Sequence, residues 1–380
     1  MRKTLLTLLA IAGCATASGS GGGPVPVDVP ATQTPGPGPQ PLSAPDLLYV
    51  CNQSDATVTL IDTRTNEKVG LVDLTTLGFS KNAKPHHIAV EPDGSFWYVT
   101  LIGENKIVKL DRDNKVVGQA TFETPGMLSL HPTQDLLFVG RSMTAVNPPK
   151  RIGVIKRSDM SIEEVDVLFP RPHAMALDAK DNTVYTASLA TNQLAAIDVA
   201  TERVQIIEVG GKQHAIMQFA LSPDGRTLVA SGELSAELLV FDVSSPLQPK
   251  FVRSFTVEAQ PFDPVFTPDG GYVIVGNKAA NAISVVDLQK LEVKVMRGPG
   301  IAQPHGTAVS PDGRWVYVSN NNLSAPAGSG QGAHAMHAAQ AAATPAGAGT
   351  IVVIDAHSRR IAKVIEVGHN ASGIAVRTMR

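Results

Sequence analysis

From residue 46 onward, apolar and polar positions alternate in short runs, and almost every run ends in a turn former. Residues 57–60 (Thr-Val-Thr-Leu) and 292–295 (Glu-Val-Lys-Val) are typical. A period of two in runs this short predicts strands, not helices. Pro-Asp-Gly recurs at 92–94, 223–225, 268–270 and 311–313. In each, Asp favours the turn and Gly accepts the positive φ that closes a tight hairpin.

The runs come in sets that repeat. One unit reads Pro-His-Gly-Thr-Ala-Val-Ser-Pro-Asp-Gly-Arg-Trp-Val-Tyr-Val-Ser-Asn at 304–320, with counterparts at 85–100, 172–188, 213–231 and 261–277. Each unit continues into an alternating strand ending in Asp, at 58–62, 107–111, 194–198, 238–242, 283–287 and 351–355, and then into a last short strand. That makes four strands per unit. First strands begin near Ile88, Leu128, Met175, Phe219, Val265, Ala308 and Ile374, which predicts seven units. The seventh, 372–376, has nothing after it to pair with. Its partners are expected at the other end of the repeat, at 48–51, 58–62 and 69–73. Joining the termini in this way removes exposed sheet edges. Leaving out a low-complexity insert at 323–349, the spacing is about 44 residues, that of a four-stranded propeller blade. The expected architecture is an all-β, seven-bladed β-propeller over 46–380.

Before the repeat the chain reads as an address. Met1-Arg2-Lys3 is basic, and 5–12 is apolar but shorter than the ~20 residues a spanning helix needs. Ile11-Ala12-Gly13-Cys14 resembles a lipobox, so 1–14 is expected to be a lipoprotein-type signal peptide with Cys14 acylated. The alternative is an ordinary signal peptide cut near Ala15-Thr16-Ala17. Both export the chain, and Ala15 instead of Asp after the cysteine points to the outer membrane. Residues 15–45, rich in Gly and Pro, make an extended tether without a core. The expected location is the cell envelope, with a membrane as partner through the lipid.

Charge and cysteine content narrow the functional classes. Lys+Arg is 32 and Asp+Glu is 34, giving a net charge of -2, so no nucleic-acid partner is expected. Only two cysteines occur, so there is no disulfide framework, and with Cys14 lipidated Cys51 is the only free thiol.

Tyr49-Val50-Cys51-Asn52, Tyr98-Val99-Thr100 and Tyr317-Val318-Ser319-Asn320, with Pro-Asp-Gly upstream and a strand ending in Asp downstream, resemble YVTN-type β-propeller repeats over nearly all of 46–380. The Gly-His and Trp-Asp signatures of WD40 repeats are missing. The resemblance implies the fold and leaves the function open, since one ring serves scaffolds, lactonases and redox enzymes.

Histidine is the most informative residue. Aligned on Pro-x-Gly-Ile-Ala-Val, position x reads His86, Gly126, His173, His214, Phe262, His305 and Ser372. His87 adjoins His86, and His369 lies three positions before Ser372. All fall in loops expected on one face of the ring, here called the top. Equivalent positions on a ring converge on its axis, and neutral imidazoles gathered there suit copper, zinc, iron or nickel. The plainer reading is six polar loop residues. The pattern is similar to the catalytic propeller domain of nitrous oxide reductase, where top-face histidines, including an adjacent pair, hold a copper–sulfur cluster. That resemblance implies His86-His87 as the pair and His173, His214, His305 and His369 as single ligands. This chain lacks the second copper domain and carries Gly126 and Phe262 at two ring positions, so a mononuclear or otherwise different metal site is implied, not the reductase activity.

The insert adds His334, Met336 and His337 on the same face, a set suited to copper capture or to an incidental loop. Cys51 is a possible further ligand. Arg141, Glu233 and Lys278, near the ends of second strands, are candidates to orient a polar substrate. The Asp residues ending third strands, with His131 and His357, fall on the bottom as turn and structural residues. The leading expectation is a cell-envelope propeller lipoprotein that binds a transition metal, copper first, with redox chemistry its enzymatic extension. The alternative is a non-catalytic scaffold binding a protein, glycan or small molecule on its top face. A metal-dependent hydrolase or lactonase is the weaker third reading, because Glu233 is the only clear carboxylate ligand.

Overall fold

Among the described residues the alternation is realised as 28 short strands in seven four-stranded antiparallel sheets. The structure, a computed structural model, describes residues 46–142, 150–324 and 343–377. Blades 1 to 6 are sequential, at 85–121, 125–166, 172–208, 216–256, 261–296 and 304–369. Blade 7 combines the last strand, Ala371–Arg377, with the first three, Leu47–Asn52, Thr57–Asp62 and Glu67–Asp73. Leu48 pairs with Val376, Tyr49 with Ala375 and Val50 with Ile374, so the expected joining of the termini is present.

The core sits between blades. Middle strands such as Leu47–Asn52 and Thr183–Ser188 are buried along their whole length, whereas outer strands such as Glu67–Asp73 are largely exposed. Alternation sends Tyr49 and Cys51 toward blade 1 and Leu48 and Val50 toward blade 6. Seven apolar clusters result, each drawn from two neighbouring blades, and together they run round the ring. A fully buried Leu, Ile, Val or Phe side chain contributes about 1.5–3 kcal/mol. Trp97, wholly buried with its ring centroid 4.8 Å from that of Tyr49, fills the seam between blades 7 and 1. Truncation to Ala there would cost about 3–5 kcal/mol.

The bottom face is made of self-contained turns. Gly94, Gly225, Gly270 and Gly313 all have φ between 65° and 73°, as Pro-Asp-Gly predicts. The preceding Asp accepts a backbone N–H two residues on, as Asp93 does from Ser95 at 2.9 Å. The Asp residues that end third strands behave alike: Asp198 accepts from Ala200 and Thr201, and Asp287 from Gln289 and Lys290.

The insert leaves blade 6 between its second strand, Trp315–Asn320, and its third, Ala348–Asp355. Leu323 bridges Pro345, and the Ser324 hydroxyl donates to the Thr344 carbonyl at 2.9 Å, closing the neck. His334, Met336 and His337 lie outside the described residues, as do the signal segment with Cys14 and the tether. Among the described residues no helix is long and apolar enough to cross a membrane.

Candidate metal site at the top of the channel

First strands of neighbouring blades pack against one another around the axis. Each begins with the same device. A residue with positive φ (Lys84, Thr124, Arg171, Ala215, Gln260, Gln303 or Asn370) turns the chain inward, and a bulge follows in the pairing to the second strand. The bulge spans, for example, Pro85 to Ile88 and Pro304 to Thr307. It re-aims the residue after the opening position.

This device sets the register of the ring, and in blade 4 it differs from the sequence alignment. The positive-φ residue there is Ala215, at 50°, so Ile216 occupies the usual proline position and Met217 the ring position. Read from the structure, the ring is His86, Gly126, His173, Met217, Phe262, His305 and Ser372. His214 lies before the turn and faces the rim. Its Nε2 is 3.0 Å from the Gly210 carbonyl and its Nδ1 3.6 Å from a Glu237 carboxylate oxygen. Blade 2 carries glycine for a steric reason. A Cβ at 126 would stand 2.7 Å from the carbonyl carbon and oxygen of Arg141, so no side chain fits.

Three ring imidazoles are buried together. His86, His173 and His305 are 4%, 2% and 6% exposed. The His86 and His305 centroids are 5.7 Å apart, with the rings nearly perpendicular. Two atoms here have no partner, His86 Nε2 and His305 Nδ1. His173 Nδ1 is 2.6 Å from the Arg141 carbonyl; facing an acceptor, it carries the hydrogen and leaves the lone pair on Nε2. His87 has the opposite arrangement. Its Nδ1 accepts the Leu128 N–H at 3.2 Å, which puts the proton of the neutral ring on Nε2. It can donate a hydrogen bond but cannot ligate through that nitrogen unless the Leu128 bond is given up.

Burial favours the neutral form of His86, His305 and His87. It lowers His86 and His305 well below the usual histidine range, helped by His173, His87 and Lys278, and it brings His87 to about 4. Beside them lies a row of buried charges. Burial pushes the Asp263 carboxyl up to about 7 against the pull of Lys278. It brings Lys278 down to about 8 against Glu233 and Asp263. Arg171, also lowered by burial, is held up by Glu233. The Lys278 ammonium sits 4.7 Å from the centre of the Phe262 ring, which in turn lies 4.9 Å from His305.

The other sequence candidates stand apart. His369 is half-exposed, with Nδ1 3.0 Å from Asp55 at the rim of blade 7. Cys51 is fully buried in the seam between blades 7 and 1, and burial pushes its thiol well up, so it packs as a small apolar residue. Arg141 is a staple, not a substrate handle. Its guanidinium donates to the Glu123 carbonyl at 2.8 Å and to Glu164 at 3.2 Å, and lies 3.8 Å from the Phe122 ring centre. Among the described residues no three His, Cys, Asp or Glu side chains already surround one point as ligands. The imidazoles are neighbours, not a finished coordination sphere. Met217, Phe262, Asp263 and Arg171 also belong to this mouth. Asp263 and Met217 were readable only once the bulge positions were known.

The family described as "YNCE-like beta-propeller" matches residues 9–325. The chain belongs to the YNCE-like β-propeller family. No curated protein matches this propeller. Among solved structures, one titled a functionally unknown protein from Desulfotomaculum acetoxidans DSM 771 shares the fold at a TM-score of 0.66 and 13% identity, covering 87% of this chain and 98% of that one. The structure titled "Dihydro-heme d1 dehydrogenase NirN in complex with DHE" is similar at a TM-score of 0.56 and 17% identity, covering 86% of the YNCE-like chain and 74% of its own. At these identities the likeness is one of fold.

Proposed function

We propose that this propeller binds a single transition-metal ion, copper by preference, at the top of its channel through His86, His173 and His305. One observation carries the reading: two ring nitrogens, His86 Nε2 and His305 Nδ1, are buried and unpartnered on rings only 5.7 Å apart. A buried polar atom without a partner costs about 1–3 kcal/mol and calls for an explanation. A shared ion supplies one. With metal–nitrogen bonds of about 2.0–2.1 Å, each ring centre sits about 3.2 Å from the ion. Two ligand rings then lie roughly 4.5–6.4 Å apart, from a right-angled to a linear arrangement. The observed separation is within that span. His173 supports the site in the manner of a metal ligand, with Nδ1–H fixed on a carbonyl and the ring buried beside the other two. The NirN structure lends no ligand, since it shares only the fold.

The protein is further proposed to act in the cell envelope, exported and anchored by lipid at Cys14. Cys14→Ala should release it from membranes, and unchanged partitioning would remove the lipid anchor from the account.

The metal reading is tested on untagged protein by equilibrium dialysis against micromolar copper or zinc, with metal analysis. About one ion per chain is expected, lost in His86→Ala and in His305→Ala and kept in His214→Ala and His369→Ala. Absence of bound metal, or loss in the last two variants, overturns it. The row Arg171, Glu233, Lys278 and Asp263 favours a second reading, a scaffold holding a small polar molecule in the same mouth. That reading takes over if metal is absent.

A further inference from the structure

We infer that Met217 supplies a thioether to the same ion and makes the mouth selective for copper(I), an inference that rests on the metal reading above. Met217 occupies in blade 4 the position that His86, His173 and His305 occupy in blades 1, 3 and 6. The equivalence is set by the positive-φ residue and bulge, not by residue type. Met217 is 2% exposed and packs with Leu189 of blade 3 and Phe262 of blade 5 in a small cluster separate from the seven seams between blades. Phe262 touches His305, and His305 faces His86. The thioether therefore belongs to the layer of side chains that contains the two unpartnered nitrogens.

Chemistry and charge both favour the monovalent ion. Three imidazoles alone suit zinc and copper(II) as well as copper(I), whereas a thioether is a soft donor that adds selectivity for copper(I). Leu189 and Phe262 keep the sulfur side apolar. Lys278 stands over the Phe262 ring, 4.7 Å from its centre. Its ammonium repels a monovalent ion with half the energy it exerts on a divalent one at the same distance.

The test uses Met217→Leu, which keeps volume and apolar character and should fold. Copper(I), supplied anaerobically with a chromophoric chelator as competitor, and silver(I), its redox-inert stand-in, are titrated into wild-type protein and variant. Zinc is titrated in parallel. The variant should lose copper(I) and silver(I) affinity on the order of tenfold, with zinc affinity within about twofold of wild type. In wild-type protein labelled at the methionine methyl carbons, silver(I) should shift the resonance that is missing from Met217→Leu. Unchanged copper(I) affinity in the variant, an equal loss for zinc, or a silent methyl resonance overturns the thioether while leaving the histidine site standing. A wild-type protein that binds none of the three ions overturns the histidine site itself.

Discussion

The two faces of the ring handle polar groups in opposite ways. On the bottom, each Asp satisfies its own turn: Asp242 accepts from Ser244, Asp355 from Ser358, Asp312 from Arg314. These bonds are local, exposed and repeated from blade to blade. On the top, His86 Nε2 and His305 Nδ1 are buried without a partner, and Lys278, Glu233 and Asp263 are buried in a row. Local turn bonding accounts for these bottom carboxylates. The top keeps charged groups and two unpartnered ring nitrogens out of water, a pattern associated with a site.

The contrast can be broken in order of expected effect. Arg141 is the top-face residue that behaves like a structural group, because its guanidinium is buried and bonded on several sides. Arg141→Ala should cost about 3–5 kcal/mol in urea denaturation with metal binding intact; loss of metal without loss of stability would move Arg141 into the site. Gly126→Val should cost about 1–3 kcal/mol, since the added atoms meet the Arg141 backbone. Wild-type stability there would mean that blade 2 has room for a ring side chain after all. His305→Phe should change stability by no more than about 1 kcal/mol, because it removes an unpartnered nitrogen, yet it should abolish metal binding. A large destabilisation would show that the imidazole serves the fold.

The smallest effect belongs to the bottom carboxyls. Hydrogen bonds to backbone and side-chain donors hold Asp198, Asp242 and Asp355 below the usual range. A depressed carboxyl stabilises the fold above its unfolded value, about 3.9, and that contribution is lost as pH falls through the folded value. Stability should therefore decline below about pH 4. Replacing the three by Asn should make that decline shallower, measured by thermal unfolding across pH. An unchanged slope would mean that these turns carry no proton linkage.

The blades, their number and the joining of the termini were legible because turn chemistry repeats: Pro-Asp-Gly and the terminal Asp mark the strand ends in one blade after another. The ring register was legible in blades where Pro precedes the key residue and failed in blade 4, where Ile216 stands in its place and His214, two residues before Ile216, draws the eye. Backbone conformation at Ala215 decides that register, and residue type alone does not announce a positive φ at alanine. Cys51 could have been placed by alternation, since it shares a face with Tyr49. Arg141 could not, because a long side chain at a strand end can turn to the mouth or to the rim, and only the positions of Glu123, Glu164 and Phe122 decide. Asp263 and Arg171 carry no motif and become part of the mouth only through the bulge and the turn that position them.

The central claim is that His86, His173 and His305 share one ion. The most direct measurement is anomalous diffraction at the copper edge from crystals of the untagged protein soaked in copper. One peak on the channel axis, within about 2.0–2.1 Å of a nitrogen from each of the three rings, is the predicted result. No peak there, or a peak at His214 or His369 on the rim, would contradict it.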